Sequence, residues 1–314
     1  MPAEAFWLEA SDDCRLYVHA WRPEAPPRAV VLLVHGMADH GGRYQRLGQA
    51  LVAAGLALYA PDLRGHGHTA EGGVLGHYAD ANGWNRVLDD LAVLARHARQ
   101  AHPGAPLFLL GHSMGSYLVQ GYLLHHSASV QGAILSGSNY QPALFYRAAR
   151  LVARLERLRQ GPRGRSALIE WLSFGSFNNA FKPTRTAFDW LSRDPAEVDR
   201  YIADPLCGFR CTNQLWLDLL AGLAQISQPG SLAQIDRGLP LLIIGGSCDP
   251  VSQGKRLTDL ARALGRTGNR QVELVLYPDA RHEVLNELNR EQVTADLLAW
   301  LQRALAIQRP ARSE

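Results

Sequence analysis

The chain has 314 residues, of which 47% are hydrophobic and 19% are charged, and this balance excludes an intrinsically disordered protein. The formal net charge of +3 is too small to indicate a particular partner, so no nucleic-acid partner is predicted. The N-terminus lacks the basic start and apolar run of a secretion signal, and the longest apolar runs fall short of the ~20 residues that cross a bilayer. We therefore expect a cytoplasmic protein.

The first part of the chain alternates predicted strands with predicted helices. Two short strands over 6–9 and 16–21, separated by a turn, are expected to form an antiparallel edge. The run 29–34 is apolar throughout, which predicts a strand buried on both faces, as in a parallel sheet. The further predictions are strands over 56–60, 107–110 and 133–135, and helices over 44–54, 84–97 and 116–125.

The last part of the chain resumes this alternation, with predicted strands over 239–244 and 272–277 and predicted helices over 253–264 and 290–306. The pattern indicates an α/β fold with a mostly parallel sheet covered by helices on both faces. Residues 139–237 are helical, aromatic and basic, and they show no clear strand. We interpret them as a helical cap inserted into a core made of residues 1–138 and 238–314. The polar tail 308–314 is expected to fray.

The chemistry is carried first by Ser113, which lies in a G-x-S-x-G motif between a predicted strand and a predicted helix. A serine at the tip of such a sharp turn has a strained backbone, and side chains at Gly111 and Gly115 would collide with it. The turn projects the Ser113 hydroxyl over the ends of the strands. A glycine-rich turn without chemistry is the alternative, and the strand and helix on either side argue against it.

A serine hydroxyl needs a base and the base needs a carboxylate that orients it. His282, in the loop after strand 272–277, is the candidate base, and Asp249, after strand 239–244, is the candidate carboxylate. Asp279 is nearer to His282 in sequence, but it leaves the same strand. Because Asp249 comes from a neighbouring strand and completes the order Ser, Asp, His, we favour it, although a turn or helix cap is its alternative role.

The oxyanion of an acyl-transfer reaction needs backbone N–H donors as well. We expect these from Met114, which follows the nucleophile, and from Met37, in the loop after strand 29–34. No metal and no cofactor is implied, since His282 begins an H-E-x-x-N sequence that lacks the second histidine of a zinc helix.

Five segments together resemble the monoacylglycerol lipase and lysophospholipase branch of the α/β-hydrolases, which is grouped with serine aminopeptidase-like hydrolases. They are HGMADHGGRY at 35–44, DLRGHG at 62–67, GHSMG at 111–115, GSCD at 246–249 and HEVLNE at 282–287. The resemblance implies an α/β-hydrolase fold and an ester hydrolase with a cap over its site. It also implies the triad Ser113, Asp249 and His282, with Met37 and Met114 as oxyanion donors. Thr69 departs from the pattern, which more often has serine there.

The predicted cap begins with an amphipathic helix over 144–158. Leucines recur on one side, and Arg147, Arg150, Arg154 and Arg157 lie on the other. Such a helix suits peripheral contact with an anionic membrane surface, whereas the more ordinary interpretation is a solvated charged face on a packed helix. Aromatic residues follow from Trp171 to Trp190, and they suit either an acyl pocket or the core of the cap itself.

The leading hypothesis is hydrolysis of a carboxylic ester with a medium or long acyl chain, such as a monoacylglycerol or a lysophospholipid. The alternatives are an amide or thioester hydrolase with the same triad, and a non-catalytic ligand receptor on the same fold. The four cysteines, Cys14, Cys207, Cys211 and Cys248, are expected to be buried or half-buried free thiols, and Cys207 and Cys211 could face each other on a helix.

Overall fold

The protein, seen in a computed structural model that describes residues 4–307, is built on eight strands. Their bounds are β1 Glu4–Glu9, β2 Arg15–Trp21, β3 Val30–Val34, β4 Ala57–Pro61, β5 Leu107–His112, β6 Gly132–Ser136, β7 Leu241–Gly246 and β8 Val272–Tyr277. They form one sheet in the order β1-β2-β4-β3-β5-β6-β7-β8. The strands β3 to β8 are mutually parallel, while β2 runs antiparallel to both β1 and β4. The predicted parallel sheet with an antiparallel edge is therefore confirmed.

Nine α-helices occur within the described residues. They are α1 Gln45–Ala53, α2 Gly83–Ala101, α3 Met114–His126, α4 Ala143–Gln160, α5 Ala167–Phe174, α6 Pro195–Ala203, α7 Asn213–Ile226, α8 Arg256–Arg266 and α9 Arg290–Ala306. None of the helices in this part of the chain combines the length and apolarity that a membrane span requires. The expectation for the tail 308–314 lies outside the described residues.

The sheet separates two hydrophobic cores, and the alternation of side chains along each strand explains the division. In β3, Val30, Leu32 and Val34 join a core that includes α2, α3 and α7, whereas Val31 and Leu33 join a second core with α1 and α9. Because both faces are covered, the central strands are apolar at nearly every position. The predicted helices on both faces are therefore confirmed. Because the faces are covered, the ends of the strands are where a site can form.

The chain between β6 and β7 contains α4 to α7 and, within the described residues, no strand. Helix α4 packs on α7 and buries Ala143, Tyr146, Ala153 and Glu156. At 100° per residue, these positions lie opposite the leucine face of α4, which is exposed. The leucines of that face are Leu144, Leu151, Leu155 and Leu158. The apolar side predicted from sequence therefore points to solvent and is not the packed side.

Helix α8 begins at Arg256, three residues later than the sequence predicts. Gln253 and Gly254 both have positive φ values, 50° and 62°, which are incompatible with a right-handed helix. Helix α2 ends at Ala101, four residues beyond its predicted end, and the remaining core helices and strands begin and end within two residues of their predicted bounds.

Candidate active site

Ser113 lies at the turn between β5 and α3 with φ 51° and ψ −120°. A non-glycine residue rarely adopts this conformation, and the strain persists because the strand and the helix fix both ends of the turn. The Ser113 N–H donates to Ser136 O at 2.8 Å, which anchors the turn to the end of β6. Within the described chain the Ser113 hydroxyl donates no hydrogen bond, so it is open to the cavity that it lines.

The glycines on either side of Ser113 are required by space. A Cβ at Gly111 would run into the backbone of Gly115, and a Cβ at Gly115 would overlap the carbonyl of Val34. Because both positions lack a Cβ, β3, β5 and α3 can lie this close together. The steric explanation derived from the sequence thus agrees with the structure.

His282 and Asp249 are brought together from the loops after β8 and β7. His282 Nδ1 lies 3.0 Å from Asp249 Oδ1, and both side chains are buried. Asp249 Oδ1 also accepts from the Val251 N–H at 2.9 Å, which fixes the carboxylate. Asp279, the rival from sequence, is exposed, and its N–H binds Ser247 Oγ at 2.9 Å. The geometry therefore places Asp249, and not Asp279, beside the imidazole.

The surroundings of His282 raise its pKa despite its burial. Burial by itself lowers the pKa of His282, but the Asp249 carboxylate and its hydrogen bond outweigh this effect and raise it. The neighbouring His112 has its pKa lowered to about 4, by burial first and then by the charge of His282. Trp190 lies with its ring centroid 5.2 Å from the His282 ring. This arrangement suits a base that accepts a proton and holds it briefly.

The two predicted oxyanion donors belong to segments near Ser113, since Met114 follows it in the chain and Met37 lines the same cavity. Met114 opens α3, so its N–H is one of the first-turn donors that a helix leaves unpaired. Met37 lines the cavity in the loop after β3, and the next residue, Ala38, has a strained φ of 51°. The Ala38 carbonyl accepts from Tyr201 Oη at 3.0 Å. The structure thus holds both backbone segments beside the serine.

Sequence reasoning missed the residues that hold the His282 loop. The His282 and Glu283 N–H groups donate to the carbonyls of Trp190 and Leu191, at 3.4 and 2.8 Å. The inserted segment between β6 and β7 therefore supports the loop of the candidate base directly. No local signal marks these bonds, because backbone carbonyls contribute nothing to a sequence motif.

A cavity of about 470 Å³ connects Ser113 with the inserted segment. Its floor contains Ser113, Met37 and His282, and its polar wall includes Glu170 and Arg210. Burial raises the pKa of Glu170, and nearby Arg210 counteracts part of that effect. The aromatic lining consists of Trp171, Phe174, Phe188, Trp190, Tyr201 and Phe209. Several of the aromatic residues predicted for the cap therefore face the site, while Phe177 and Phe181 pack against the small core around Trp190.

The cysteines differ from their predictions in two respects. Cys207 and Cys211 lie in the loop between α6 and α7 and not on a helix. Pro205 and the positive φ of Gly208, 69°, are incompatible with a continuous helix there. All four thiols are free, but Cys248 is exposed. His40 and Asp204, which are 164 residues apart, lie near Cys207 and near each other, and their side chains are joined by a hydrogen bond of 2.9 Å. This group could not be predicted from the sequence, because His40 lies 164 residues from Asp204 along the chain.

Comparisons with known proteins identify a matching family and similar chains. A family model described as "Serine aminopeptidase, S33" matches residues 25–289. The chain is 32% identical to a monoacylglycerol lipase of Mycolicibacterium smegmatis, over 91% of this chain and 92% of that protein. It is 26% identical to human monoglyceride lipase, over 90% and 84% of the two chains. The structure of a thermostable carboxyl esterase from Bacillus coagulans superposes with a TM-score of 0.87 at 24% identity, covering 98% of this chain and 100% of the other. This likeness confirms the α/β-hydrolase fold.

Proposed function

The chain belongs to the serine aminopeptidase S33 family of α/β-hydrolases, and from this premise we propose that it hydrolyses lipid-type carboxylic esters through an acyl-enzyme on Ser113. The observation that carries the proposal is the juxtaposition of a strained, cavity-facing serine with a buried histidine–carboxylate pair. Esters are favoured because the full-length relatives reported above are named as monoacylglycerol and monoglyceride lipases.

The proposed reaction has two acyl transfers. His282 Nε2 takes the proton of Ser113 as the hydroxyl oxygen attacks the ester carbonyl, and Asp249 holds the imidazole in the tautomer that leaves Nε2 free. The Met37 and Met114 N–H groups bind the resulting oxyanion. The intermediate collapses, His282 gives its proton to the departing alcohol, and the acyl group stays on Ser113. His282 then takes a proton from a water molecule, whose oxygen attacks the acyl carbon. The second intermediate collapses to the fatty acid, and His282 returns the proton to Ser113 Oγ.

The cavity supports an acyl chain as the group bound above Ser113. Aromatic side chains on the inserted segment surround it, and a cavity of about 470 Å³ is within the range that ligand sites occupy. We extend the proposal to the domain organisation: residues 139–237 act as a cap over a core made of residues 1–138 and 238–314. The cap supplies the apolar wall of the cavity, and the core supplies the residues that react.

Contact of the cap with an anionic lipid surface forms part of the proposal. The leucine face of α4, defined above, is exposed and lies opposite the packed face, and α5 adds exposed Leu168, Trp171 and Leu172. Arg147, Arg154 and Arg157 flank it and are also exposed, whereas Arg150 is half-buried. Trp171 belongs to both the exposed surface and the cavity wall. A lipid could therefore pass from the surface to Ser113 beside this residue.

Amide hydrolysis is the second candidate, and one observation favours it. Glu170 places a carboxylate on the cavity wall, where it could bind the ammonium group of an aminoacyl substrate. The positive charge of Arg210 on the same wall would repel that ammonium group. The surrounding aromatic side chains also suit an acyl chain better than a charged group.

The experiment is a kinetic panel with purified protein. It compares a monoacylglycerol, a lysophospholipid, a long-chain acyl thioester and an aminoacyl amide under one set of conditions. We expect the highest kcat/KM for the monoacylglycerol or the lysophospholipid. A higher value for the amide or the thioester would contradict the ester assignment. If no substrate is turned over and fluorophosphonate does not label the protein, the protein is a non-catalytic receptor instead.

A further inference from the structure

Arg43 lies between the two loops that carry Met37 and His282, the groups to which the proposed function gives the oxyanion and proton-transfer roles. Its side chain is only 11% exposed, and each of its two carboxylate partners is more deeply buried. Neither the glycine-serine motif nor the triad order accounts for a buried arginine at this place.

On one side, Arg43 holds the loop of the oxyanion donor through Asp39. Arg43 Nη1 donates to Asp39 Oδ1 at 2.9 Å. Asp39 Oδ2 accepts from the Gly36 N–H at 3.3 Å and from Tyr44 Oη at 2.9 Å. Because these bonds close the turn around Met37, they determine where the Met37 N–H points.

On the other side, Arg43 holds the loop of the base through Glu283. Its Nη1 and Nη2 donate to the two carboxylate oxygens at 2.9 and 2.8 Å, a bidentate pair that fixes orientation as well as distance. Asn286 Nδ2 donates to the same carboxylate at 2.9 Å, and the Arg43 guanidinium lies 4.8 Å from the centre of the Tyr201 ring. Glu283 is bonded to His282 in the chain, so this pair limits the movement of the imidazole.

We propose that Arg43 is a positioning residue that, with Asp39 and Glu283, fixes the oxyanion loop relative to His282. The three side chains form one unit, which we call the Arg43 clasp. Asp39 and Glu283 line the cavity beside His282, but the aromatic side chains proposed to contact the acyl chain belong to the inserted segment. The clasp therefore acts on the rate of the proposed acyl transfer more than on the binding of the acyl chain.

The charge of the clasp adds a second effect. One guanidinium stands against two carboxylates, which leaves one net negative charge near the imidazole. His282 is faced by Asp249 after β7, by Glu283 beside it, by Asp39 and Arg43 from the loop after β3, and by His112 at the end of β5. Among these, the carboxylates favour the imidazolium that forms when Ser113 loses its proton, and they raise the pKa of His282. Arg43 and His112 oppose them.

The test uses Glu283→Gln, which keeps the size of the side chain, and Arg43→Lys, which keeps the positive charge but cannot form the bidentate pair. We expect kcat for an ester to fall by roughly 10- to 100-fold with KM within about twofold, since small misplacements of reacting groups have effects of this size. Glu283→Gln removes a negative charge, so the acidic limb of the kcat/KM profile should also move to lower pH. Arg43→Lys keeps its charge and should leave that limb in place.

Matched controls come from Arg64, another buried arginine with two carboxylate partners. Its Nε and Nη2 donate to Asp90 at 2.6 and 2.8 Å, and its Nη1 donates to Asp12 at 3.0 Å, away from the cavity. Arg64→Lys and Asp90→Asn should lower the melting temperature while kcat and the acidic limb stay at wild-type values.

Fluorophosphonate labelling of Ser113 separates failure of the clasp from failure of the proposed function. Labelling of the wild type tests the nucleophile, and slower labelling of the two clasp variants supports the clasp whichever substrate the protein prefers. The proposal is overturned if the clasp variants lose no more kcat than the Arg64 and Asp90 controls, if their loss appears in KM alone, or if Glu283→Gln leaves the acidic limb unmoved.

Discussion

Replacing Leu155 and Leu158 with serine should weaken binding of the protein to anionic lipid vesicles. Both residues lie on the exposed leucine face of α4, opposite the face that packs on α7. Because neither side chain is part of the core, the substitution should leave the fold intact. The change therefore isolates the apolar part of the proposed surface contact.

The magnitude follows from the exposed area of the two side chains. Leu155 is 65% exposed and Leu158 is 83% exposed. Full burial of a leucine is worth about 1.5–3 kcal/mol, so immersing each exposed part is worth about 1–2 kcal/mol. The double substitution should cost at least about 2 kcal/mol of partitioning free energy, which is roughly 30-fold in the vesicle-bound ratio.

The assay is co-sedimentation with vesicles that contain phosphatidylserine, at low and high salt. Leu288→Ser is the matched control, because Leu288 is 60% exposed but lies outside α4 and α5. Turnover of a short soluble ester should be unchanged in all variants, since none of these residues lines the cavity. If the wild type does not bind, or if the double variant and the Leu288 control bind alike, the leucine face has no part in lipid contact.

Four further outcomes are expected. Replacing Arg147, Arg154 and Arg157 with glutamine should weaken anionic-vesicle binding at low salt, and the loss should shrink at high salt because screening grows; equal losses at both salt levels would contradict an electrostatic role. Asp249→Asn should slow acylation by up to ~10⁴-fold, as in serine proteases, while Asp279→Asn should have little effect; stopped-flow rates that rank them the other way refute the assignment of Asp249. The kcat/KM of the wild type should fall as the pH drops through the raised pKa of His282, because the imidazolium cannot accept a proton; a flat profile from pH 5 to 8 would argue against His282 as the base. Phe174→Ala should lower kcat/KM for a long-chain ester by about 10-fold relative to an acetyl ester, since a lost apolar contact is worth that much; equal losses on both esters would show that Phe174 does not meet the acyl chain.

The core of the fold could be predicted because its signals are local. The continuous apolar run 29–34 marked a buried parallel strand, and the observed β3 follows it closely, with all five of its residues buried. The place of Ser113 between β5 and α3 followed from the steric demand for glycine at Gly111 and Gly115. The pairing of His282 with Asp249 followed from strand order, since both loops leave the same edge of the sheet.

The clasp could not be predicted because its bonds join distant parts of the chain. Arg43 and Glu283 are 240 residues apart, and each also fits a solvated surface position in the sequence. Only the fold brings the loops after β3 and β8 together. The carbonyls of Trp190 and Leu191 accept hydrogen bonds from the His282 loop. Every residue has a backbone carbonyl, so these bonds cannot be predicted from the residue types.

The orientation of α4 shows a different limit of sequence reasoning. Periodicity correctly separated the leucines from the arginines, but it could not tell which side would pack. Small and polar residues, Ala143, Ala153 and Glu156, together with Tyr146, form the contact with α7 instead. A packing face made of small residues carries a weak hydrophobic signal, so the exposed leucines dominated the pattern.

The central claim, an acyl-enzyme on Ser113, is tested most directly by mass spectrometry of an acid-quenched reaction. The protein is mixed with a long-chain p-nitrophenyl ester, quenched within the first turnover, digested and mapped. We predict an acyl mass addition on the peptide that contains Ser113, and neither adduct nor turnover in Ser113→Ala. An adduct on another residue, or turnover by a pure Ser113→Ala sample at the wild-type rate, would contradict the mechanism.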